Sequence, residues 1–556
     1  MEEKRIYSYH TFLFPFLLKN GMTKDKLCEQ LQLRDGPWCP DDMIVENAGE
    51  KQLSAVVRDR NLDKACWDYQ TFQYFNAATR KALFEAEGGV SSGYRIKNAK
   101  GGTYTIVCRK DKDKNGGGRS YVLDINEIRL KVFNTNVAVI SFELEYPMPS
   151  AGAAQARKDV KIINEFGRRL YPEFLVRQPE APEERPFLLC ADSITINFPD
   201  GKTISTEFRE NATIQNDSAF SNLYLNKPIH LPSILTELTG IREENIEPAV
   251  DDRMFVCSCV LDQEYTNSFI RLTTPQNHQW RFMEDWETGC ELYAVINIDA
   301  ESSSCQNRLM LDQYFEEQLY LRWIEYGTIH AVTNHSMICL TGDPQDGVMS
   351  SVVNPFLTLY VPMCILGLAQ RGSLLAYDAR ITEAIKKAQP GEVPLDGALA
   401  DHLIVLAEQF TVFQGQLLLQ EVTPQIQGVE LYAKIQKMLF IPSLEKNIQH
   451  QLNNLYRIAE ANRAKLDGEK NQKMQGAFTA IAILAVASAW GDTYDFIQHI
   501  VTGEELTLAL WWSVALAVLL IVFGIFEYWY KGRMFRCIKK ICSLFHRKRK
   551  KGDKKQ

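Results

Sequence analysis

The chain has 556 residues, of which 46% are hydrophobic and 24% are charged. This composition excludes an intrinsically disordered protein, and the length predicts two or three domains. The net charge is −7 at pH 7, and residues 1–490 alone carry −13, since the last 26 residues are strongly basic. An acidic main part argues against the binding of long nucleic acid as the principal task.

Residues 1–180 are predicted to form a first α/β part that faces the cytoplasm. Tyr7–Leu18 is an apolar run too short for a membrane span, and it predicts a buried strand. His10 within it is interpreted as a hydrogen-bonded core histidine. Further strands and then a helix follow, which is typical of an α/β domain. These elements are predicted at Thr103–Cys108, Ser120–Leu123, Glu127–Phe133, Val137–Leu144 and, for the helix, Ala153–Leu170.

Two arginines, Arg168 and Arg169, end that predicted helix. Cations stabilise the C-terminus of a helix through its dipole. Guanidinium groups also bind phosphate. The pair is therefore open to two interpretations, a helix end or a phosphate-binding site.

Residues 181–350 are predicted to form a second α/β part that faces the cytoplasm. The proline-rich stretch 178–186 predicts the boundary between the two parts. Met254–Leu261 and Glu291–Ile298 are apolar runs of strand length, and both are predicted strands.

The segment Tyr320–Thr341 is dense in polar and aromatic residues, and it contains Arg322 and Trp323. No nucleophile with a base and an orienting group can be assembled from it. The sequence predicts that the protein is not an enzyme, and it predicts no organic cofactor.

Residues 351–442 are predicted to be helical. The two main helices are predicted at Leu357–Lys387, which contains Arg371, and at Leu399–Leu439.

A long helix is predicted next, because Pro442 ends the preceding helix and Ser443 caps a new one. It is predicted to form a stalk and a first membrane span over 443–490. Its first half repeats apolar residues at spacings of three and four, which predicts one buried stripe. The stripe consists of Leu444, Ile448, Leu452, Leu455 and Ile458.

Two apolar segments predict membrane spans. Leu506–Phe526 carries no charge, and its 21 residues suffice to cross a hydrocarbon core of about 30 Å. With the aromatic residues that follow, this second span is predicted to extend over 506–530. Gly476–Trp490 has 15 uncharged residues, which is short for a span. A buried re-entrant helix is the alternative interpretation of that segment.

Charge predicts how these spans are oriented. The tail 531–556 holds twelve Lys or Arg against one Asp, and positive residues stay on the cytoplasmic side. Two spans then place both chain termini in the cytoplasm and the acidic loop 491–505 outside. The predicted location is the inner (plasma) membrane.

The stalk and the outer loop supply candidate pore residues. Asn471, Gln475 and Thr479 recur at every fourth position, which predicts one polar stripe on a helix. The stripe lines a pore or, alternatively, lies on a polar helix surface below the bilayer. Acidic loops in a ring attract cations, divalent cations included, although an ordinary solvated loop has the same composition. The candidate residues of the outer mouth are Trp490, Gly491, Asp492 and Asp495.

The order of these segments resembles the CorA superfamily of pentameric cation channels. A large cytoplasmic α/β domain, a stalk helix that continues into the first span, a short outer loop, a second span and a basic tail carry the resemblance. That family has a Gly-Met-Asn signature at the outer end of the first span. This chain has Ala489–Thr493, AWGDT, in the equivalent place. The resemblance implies a homopentamer with a central pore.

Several segments of the soluble part resemble the CorA-like membrane effectors associated with type III CRISPR systems. The segments are YSYHTFLFPF, FNTNVAVISFELE, INEFGRRLYP, RWIEYGT and LAQRGSLL. The resemblance implies an antiviral effector whose cytoplasmic domain binds a nucleotide second messenger, such as a conjugate of S-adenosylmethionine and AMP. Binding would open the pore and disrupt the membrane.

Arginine and aromatic side chains suit a phosphate and an adenine. The candidate ligand-binding residues are Arg168, Arg169, Arg322, Trp323 and Arg371. A CorA-type divalent cation (Mg²⁺) transporter is the alternative function, and a membrane-anchored enzyme is a third.

Overall fold

The structure is a computed structural model, and it divides the chain into two compact units. Unit 1 comprises Met1–Lys387 and Val405–Asn453, and unit 2 comprises Ala388–Ile404 and Asn454–Gln556. The residues it describes are 5–32, 36–41, 62–84, 90–108, 119–170, 176–177, 191–208, 213–214, 233–273, 285–300, 302–342, 348–387 and 397–500.

The first 350 residues contain both strands and helices, and the described elements after them are helices. The strands are β1 Ile6–Leu18, β2 Trp38–Pro40, β3 Ser91–Ile96, β4 Thr103–Cys108, β5 Arg119–Phe133, β6 Val137–Pro147, β7 Val176–Arg177, β8 Ser193–Asn197, β9 Thr203–Glu207, β10 Thr213–Ile214, β11 Ile246–Pro248, β12 Phe255–Leu261, β13 Leu319–Tyr320, β14 Ile329–Val332 and β15 Ser336–Thr341. The helices are α1 Lys24–Leu31, α2 Leu62–Tyr74, α3 Ala77–Leu83, α4 Ala153–Gly167, α5 Ser233–Thr239, α6 Gln263–Thr273, α7 Trp286–Asn297, α8 Arg308–Gln318, α9 Val361–Lys387, α10 Gly397–Gln416, α11 Ile426–Met438 and α12 Ile441–Ile500.

One mixed sheet forms the centre of unit 1. Its strand order is β13-β14-β15-β12-β1-β6-β5-β4-β8-β9, with β11 beside β1 and with β3 between β2 and β5. The β12–β15 pair is parallel, and the other neighbours in this sheet are antiparallel. The prediction of an α/β fold for the N-terminal part is confirmed, whereas two spans and a pentamer stay predictions.

Strand β1 is covered on both faces. Successive side chains of a strand point to opposite faces. Helix α4 packs on the face of Phe12, because Gly167 at its end lies against the Phe12 ring. Helix α9 packs on the other face, where Gly372 lies against Val137, the partner of Leu17 in the ladder. This two-sided burial explains why β1 reads as an almost unbroken apolar run.

His10 is one of the buried polar residues on β1, and it is hydrogen-bonded in the core as predicted. Its Nδ1 lies 2.7 Å from Asn164 Oδ1 on α4, and its Nε2 lies 2.8 Å from Ser8 Oγ. Burial lowers the pKa of His10 to about 4, although the Asn164 hydrogen bond opposes this shift. The neutral ring therefore fixes α4 on the sheet.

The predicted strand at Glu291–Ile298 is wrong, since these residues lie in helix α7 and its C-cap. Asp285 caps the helix N-terminus by accepting a hydrogen bond from Thr288 N at 3.1 Å. An apolar run buried on all sides has no periodicity that separates a helix from a strand. The predicted single helix Leu399–Leu439 is also interrupted, since 417–425 lie between α10 and α11 and contain Pro424.

The sheet crosses the predicted boundary at 178–186. Strand β4 pairs with β8, with Ile106 opposite Ile194. Strand β1 pairs with β12. The predicted parts 1–180 and 181–350 therefore belong to one unit, and the proline-rich stretch does not separate two domains.

The predicted outer loop begins too early. Helix α12 continues to Ile500, so residues 491–500 are helical rather than part of a loop. The start of the predicted stripe is confirmed by the burial of Ile448 and Leu452, whereas Ile458 is exposed. The second predicted span, 506–530, and the basic tail lie outside the described residues.

The contact between α4 and the sheet predicts the effect of a glycine substitution. A Cβ on Gly167 would lie 2.8 Å from both Ile106 Cδ1 and Phe12 Cζ, two buried atoms. We expect Gly167→Ala to lower the free energy of unfolding by about 1–3 kcal/mol. Urea unfolding of the full-length protein in detergent, followed by tryptophan fluorescence, measures this change.

Gly415→Ala is the matched control. Nothing lies within 4 Å of a Cβ on Gly415, which is in helix α10. The control should be neutral or stabilising by up to about 1 kcal/mol. Equal effects of the two substitutions would contradict the packing of α4 described here.

Candidate functional site

Arg168 and Arg169 follow the last residue of α4 and share one carboxylate. They are only 3% and 4% exposed. Arg168 Nη2 lies 3.3 Å from Glu165 Oε2, and Arg169 Nε lies 2.9 Å from Glu165 Oε1. The predicted position at a helix C-terminus is confirmed. Both buried cations lie against the same carboxylate, that of Glu165.

The chain before β12 brings a third arginine to this place. The residues Arg169 and Arg253 form an isolated antiparallel β-bridge, and Met254 N donates to Arg168 O at 2.8 Å. The Arg253 guanidinium donates to Asp251 Oδ2 from Nε at 3.1 Å and from Nη2 at 2.9 Å. We refer to Arg168, Arg169, Arg253, Glu165 and Asp251 as the arginine cluster.

Two further groups adjoin the arginine cluster. His335, in the turn between β14 and β15, donates from Nε2 to Asn297 O at 2.8 Å. Burial and the nearby Arg168 lower the pKa of His335 to about 4, so its ring is neutral. Asp252 Oδ1 lies 4.0 Å from Arg253 Nε. Burial and the neighbouring Asp251 carboxylate raise the pKa of Asp252.

Arg168 has donors that the protein does not use. Within the described parts of the chain, its Nε and Nη1 are buried without a hydrogen-bond partner. Burial lowers the pKa of Arg168 to about 10; Glu165 opposes this shift, and Arg253 and Arg169 add to it. Unpaired donors on a buried charge are costly. An anionic oxygen ligand, such as a phosphate, would satisfy them.

Arg371 lies near Asp251, because the next residue on α9, Gly372, packs against Ala249. It is half-buried on α9, and its guanidinium carbon lies 5.6 Å from the centre of the Phe440 ring. Burial lowers the pKa of Arg371, and the neighbouring Asp251 acts in the opposite direction. Asp251 therefore has two basic neighbours, Arg253 and Arg371.

Arg322 and Trp323 form a separate surface group. Arg322 Nη1 lies 2.9 Å from each carboxylate oxygen of Glu430 on α11. Tyr320 donates to the same carboxylate at 2.6 Å. The Arg322 guanidinium lies 5.8 Å from the Trp323 ring centre. Arg322 already has a carboxylate partner and is partly exposed to water, so it lacks the buried, unpaired donors that Arg168 offers to a ligand.

The structure thus brings Arg168, Arg169 and Arg371 to one network through residues that the sequence analysis missed. Those residues are Arg253, Asp251 and His335. The signal for two of them is the charged triplet 251–253 directly before a buried strand. Charges at that position in the chain mark the end of the sheet, where the cluster lies.

The predicted pore residues lie on α12 in unit 2. Asn471, Gln475 and Thr479 are exposed, and Thr479 Oγ1 donates to Gln475 O at 2.8 Å. The predicted mouth residues, Trp490, Gly491, Asp492 and Asp495, are also part of this helix. Their side chains lie outside the described part of the structure.

Apolar side chains on α12 are exposed beside the polar ones. Phe478, Ile481 and Leu484 are 64%, 61% and 65% exposed, and Met474 precedes them on the same face. The spacings of four, three and three place the four residues on one stripe. An apolar stripe of this kind requires a cover of lipid or protein.

Among the described residues, one helical stretch is long and apolar enough to cross a membrane, Ser351–Lys386, which includes most of α9. Its most apolar 18 residues are 56% buried inside the protein, as in a core helix. This helix is not one of the two predicted spans. Among all the residues that the structure describes, no group of three or more His, Cys, Asp or Glu could hold a metal ion.

The shared carboxylate predicts the effect of its removal. Glu165→Gln leaves two buried arginines without their anion, so the free energy of unfolding should fall by about 3–5 kcal/mol. Glu317→Gln is the control, because Glu317 pairs with Lys437 at 3.5 Å on the surface. The control should cost less than about 1 kcal/mol. Urea unfolding of both full-length variants measures the difference, and a small loss for Glu165→Gln would contradict a buried charge cluster.

Comparison with known proteins finds no match. No family model matches the chain, and neither does a curated protein or a solved structure.

Proposed function

We propose that the protein is a ligand-gated membrane channel that acts as an antiviral effector. In this proposal a nucleotide second messenger, such as a conjugate of S-adenosylmethionine and AMP, binds unit 1 and opens a pore formed by several copies of the chain. The observation that carries the proposal is the stripe of exposed apolar side chains on α12. The resemblance to CorA-like effectors of type III CRISPR systems supplies the biological setting.

Helix α12 changes its surroundings along its length. Ile448 and Leu452 near its beginning are buried in unit 1. Thirty residues later, Phe478, Ile481 and Leu484 are exposed on the same continuous helix. Burial of one such side chain is favourable by about 1.5–3 kcal/mol. A bilayer, together with neighbouring copies of α12, would supply that burial.

Polar groups in the same segment fit a lipid environment. The Thr479 hydroxyl donates to the Gln475 carbonyl one turn earlier, so this donor needs no water. Threonine is tolerated within membrane helices for this reason. Asn471 precedes the apolar stripe and Gln475 lies beside its first residue, where a water-filled vestibule would solvate both side chains.

Unit 1 has the features of a sensor for an anionic ligand. The arginine cluster offers buried donors that lack partners among the described residues. A nucleotide brings phosphate oxygens that match such donors. A ligand that binds one state of unit 1 better than another shifts the protein toward that state.

Lipid contact of the apolar stripe is the first expected result. A photoreactive benzophenone side chain in place of Phe478 should crosslink to acyl chains when the full-length protein is reconstituted in vesicles. The same side chain in place of Ile458, which is 49% exposed on the polar part of α12, should not. Crosslinks to lipid at neither position would contradict insertion of the stripe.

Ion flux is the second expected result. Vesicles that contain the full-length protein should release a small trapped ion about tenfold faster after addition of one signal nucleotide. The nucleotides to compare are the S-adenosylmethionine–AMP conjugate, cyclic oligoadenylates and ATP. Flux of Mg²⁺ that needs no nucleotide would favour the CorA-type transporter instead. Nucleotide turnover without flux would favour a membrane-anchored enzyme.

A further inference from the structure

We propose that the arginine cluster is a phosphate-binding site, and that its occupancy is transmitted through Asp251 and Arg371 to the junction between α11 and α12 at Phe440. The inference rests on the proposed function, because it assigns the ligand chemistry and the gating contact of the same sensor. All of the residues concerned belong to unit 1.

The first step is the binding of an anion by Arg168. This side chain is 97% buried, and its Nε and Nη1 donate to nothing in the described structure. Arg253 is near enough to Arg168 to lower its pKa. Two neighbouring guanidinium groups repel one another, and an anion bound by both relieves that repulsion. A phosphate supplies several acceptor oxygens and negative charge at once.

The second step is competition for Arg253. The guanidinium of Arg253 is held by the Asp251 carboxylate through two hydrogen bonds of 3.1 and 2.9 Å. A phosphate on the other side of Arg253 would repel Asp251 and take up part of the Arg253 charge. Asp251 also lies near a second basic residue, Arg371, because the adjacent Gly372 packs against Ala249, two residues before Asp251. Phosphate binding therefore favours a shift of Asp251 from Arg253 toward Arg371.

The third step concerns the residue that Arg371 covers. Phe440 is the link between the end of α11 at Met438 and the start of α12 at Ile441. Its φ angle is +58°, in the left-handed region that bulky residues rarely adopt. Phe440 is half-exposed, and the Arg371 guanidinium lies over its ring at 5.6 Å. An unfavourable backbone conformation persists only while its surroundings hold it.

The local hydrogen bonds show why this junction controls the direction of α12. Phe440 O accepts from Leu444 N at 3.1 Å and from Ser443 Oγ at 2.9 Å, so it caps the first turn of α12. A change of φ at Phe440 would reorient that carbonyl and with it the first turn. A new partner for Arg371 weakens its contact with the Phe440 ring. The geometry points to Phe440 as the hinge that responds to the ligand.

The binding step is tested on the full-length protein in detergent at constant ionic strength. Radiolabelled inorganic phosphate and pyrophosphate are the probes, with AMP as a competitor. Arg168→Gln should weaken phosphate binding about tenfold or more. Arg322→Gln, which alters a surface arginine paired with Glu430, should leave it unchanged. Equal binding by the Arg168→Gln variant would overturn the site, and Arg253→Gln provides the same test if the Arg168 variant does not fold.

The transmission step has its own readout. Amide hydrogen exchange over residues 438–445 should change when phosphate binds the wild-type protein. Arg371→Gln should retain phosphate binding within about threefold and lose this change in exchange. Persistence of the change in the Arg371 variant would overturn the path through Phe440. Neither measurement requires ion flux, so failure of the channel proposal and failure of this inference are distinguishable.

Discussion

The two-sided burial of strand β1 is the constraint on which the rest of unit 1 depends. Because Phe12 on one face and Leu13 on the other are both fully buried, the strand needs a helix on each side. Helix α4 covers one face and brings Arg168 to the end of the sheet. Helix α9 covers the opposite face and brings Arg371. The short segment 251–253, which precedes the neighbouring strand, supplies the charges that connect the two.

Burying a charge network in this position lowers the stability of the fold, because the charged groups lose their hydration. Glu165 lies against two arginines, and Arg168 still has donors with no partner in the described residues. Replacing such a network by apolar residues is often neutral or stabilising. An arrangement that costs stability is therefore better explained by a ligand than by folding alone. The helix dipole accounts for one cation at the end of α4, and it does not account for three arginines.

The sequence predicted the elements whose signal is local. Strand β1, strand β12 and helix α4 follow from apolar runs and helical spacing, and the burial of Ile448 and Leu452 in α12 follows from its stripe. Helix α7 was missed because an apolar run of Leu292–Ile298 is buried on every side, which removes the periodicity that identifies a helix. The domain boundary predicted near residue 180 is not found, because strands that are far apart in the sequence pair with one another. Strand β4 pairs with β8 across about ninety residues, so one sheet contains strands from both sides of the proline-rich stretch.

The candidate site was predictable only in part, for a related reason. Arg168 and Arg169 are adjacent in the chain, so a paired guanidinium site is visible in the sequence. Their relation to Arg253 depends on a backbone bridge between α4 and β12, which no spacing encodes. Arg322 looked equally suitable, and only its contact with Glu430 on a distant helix separates it from the cluster.

A small contact such as Arg371 on Phe440 suffices for gating if the protein acts as a symmetric oligomer. Moving a closed channel from about 1% to about 99% open requires a preference of about 5.5 kcal/mol for the open state. Five sites in one ring, each with a tenfold preference of about 1.4 kcal/mol, would together exceed that requirement. The change at any single site then stays within the range of one charge-assisted hydrogen bond. The rearrangement of one aspartate between two arginines is of this size, so the gating energy of the proposed pentamer needs no larger movement within each sheet.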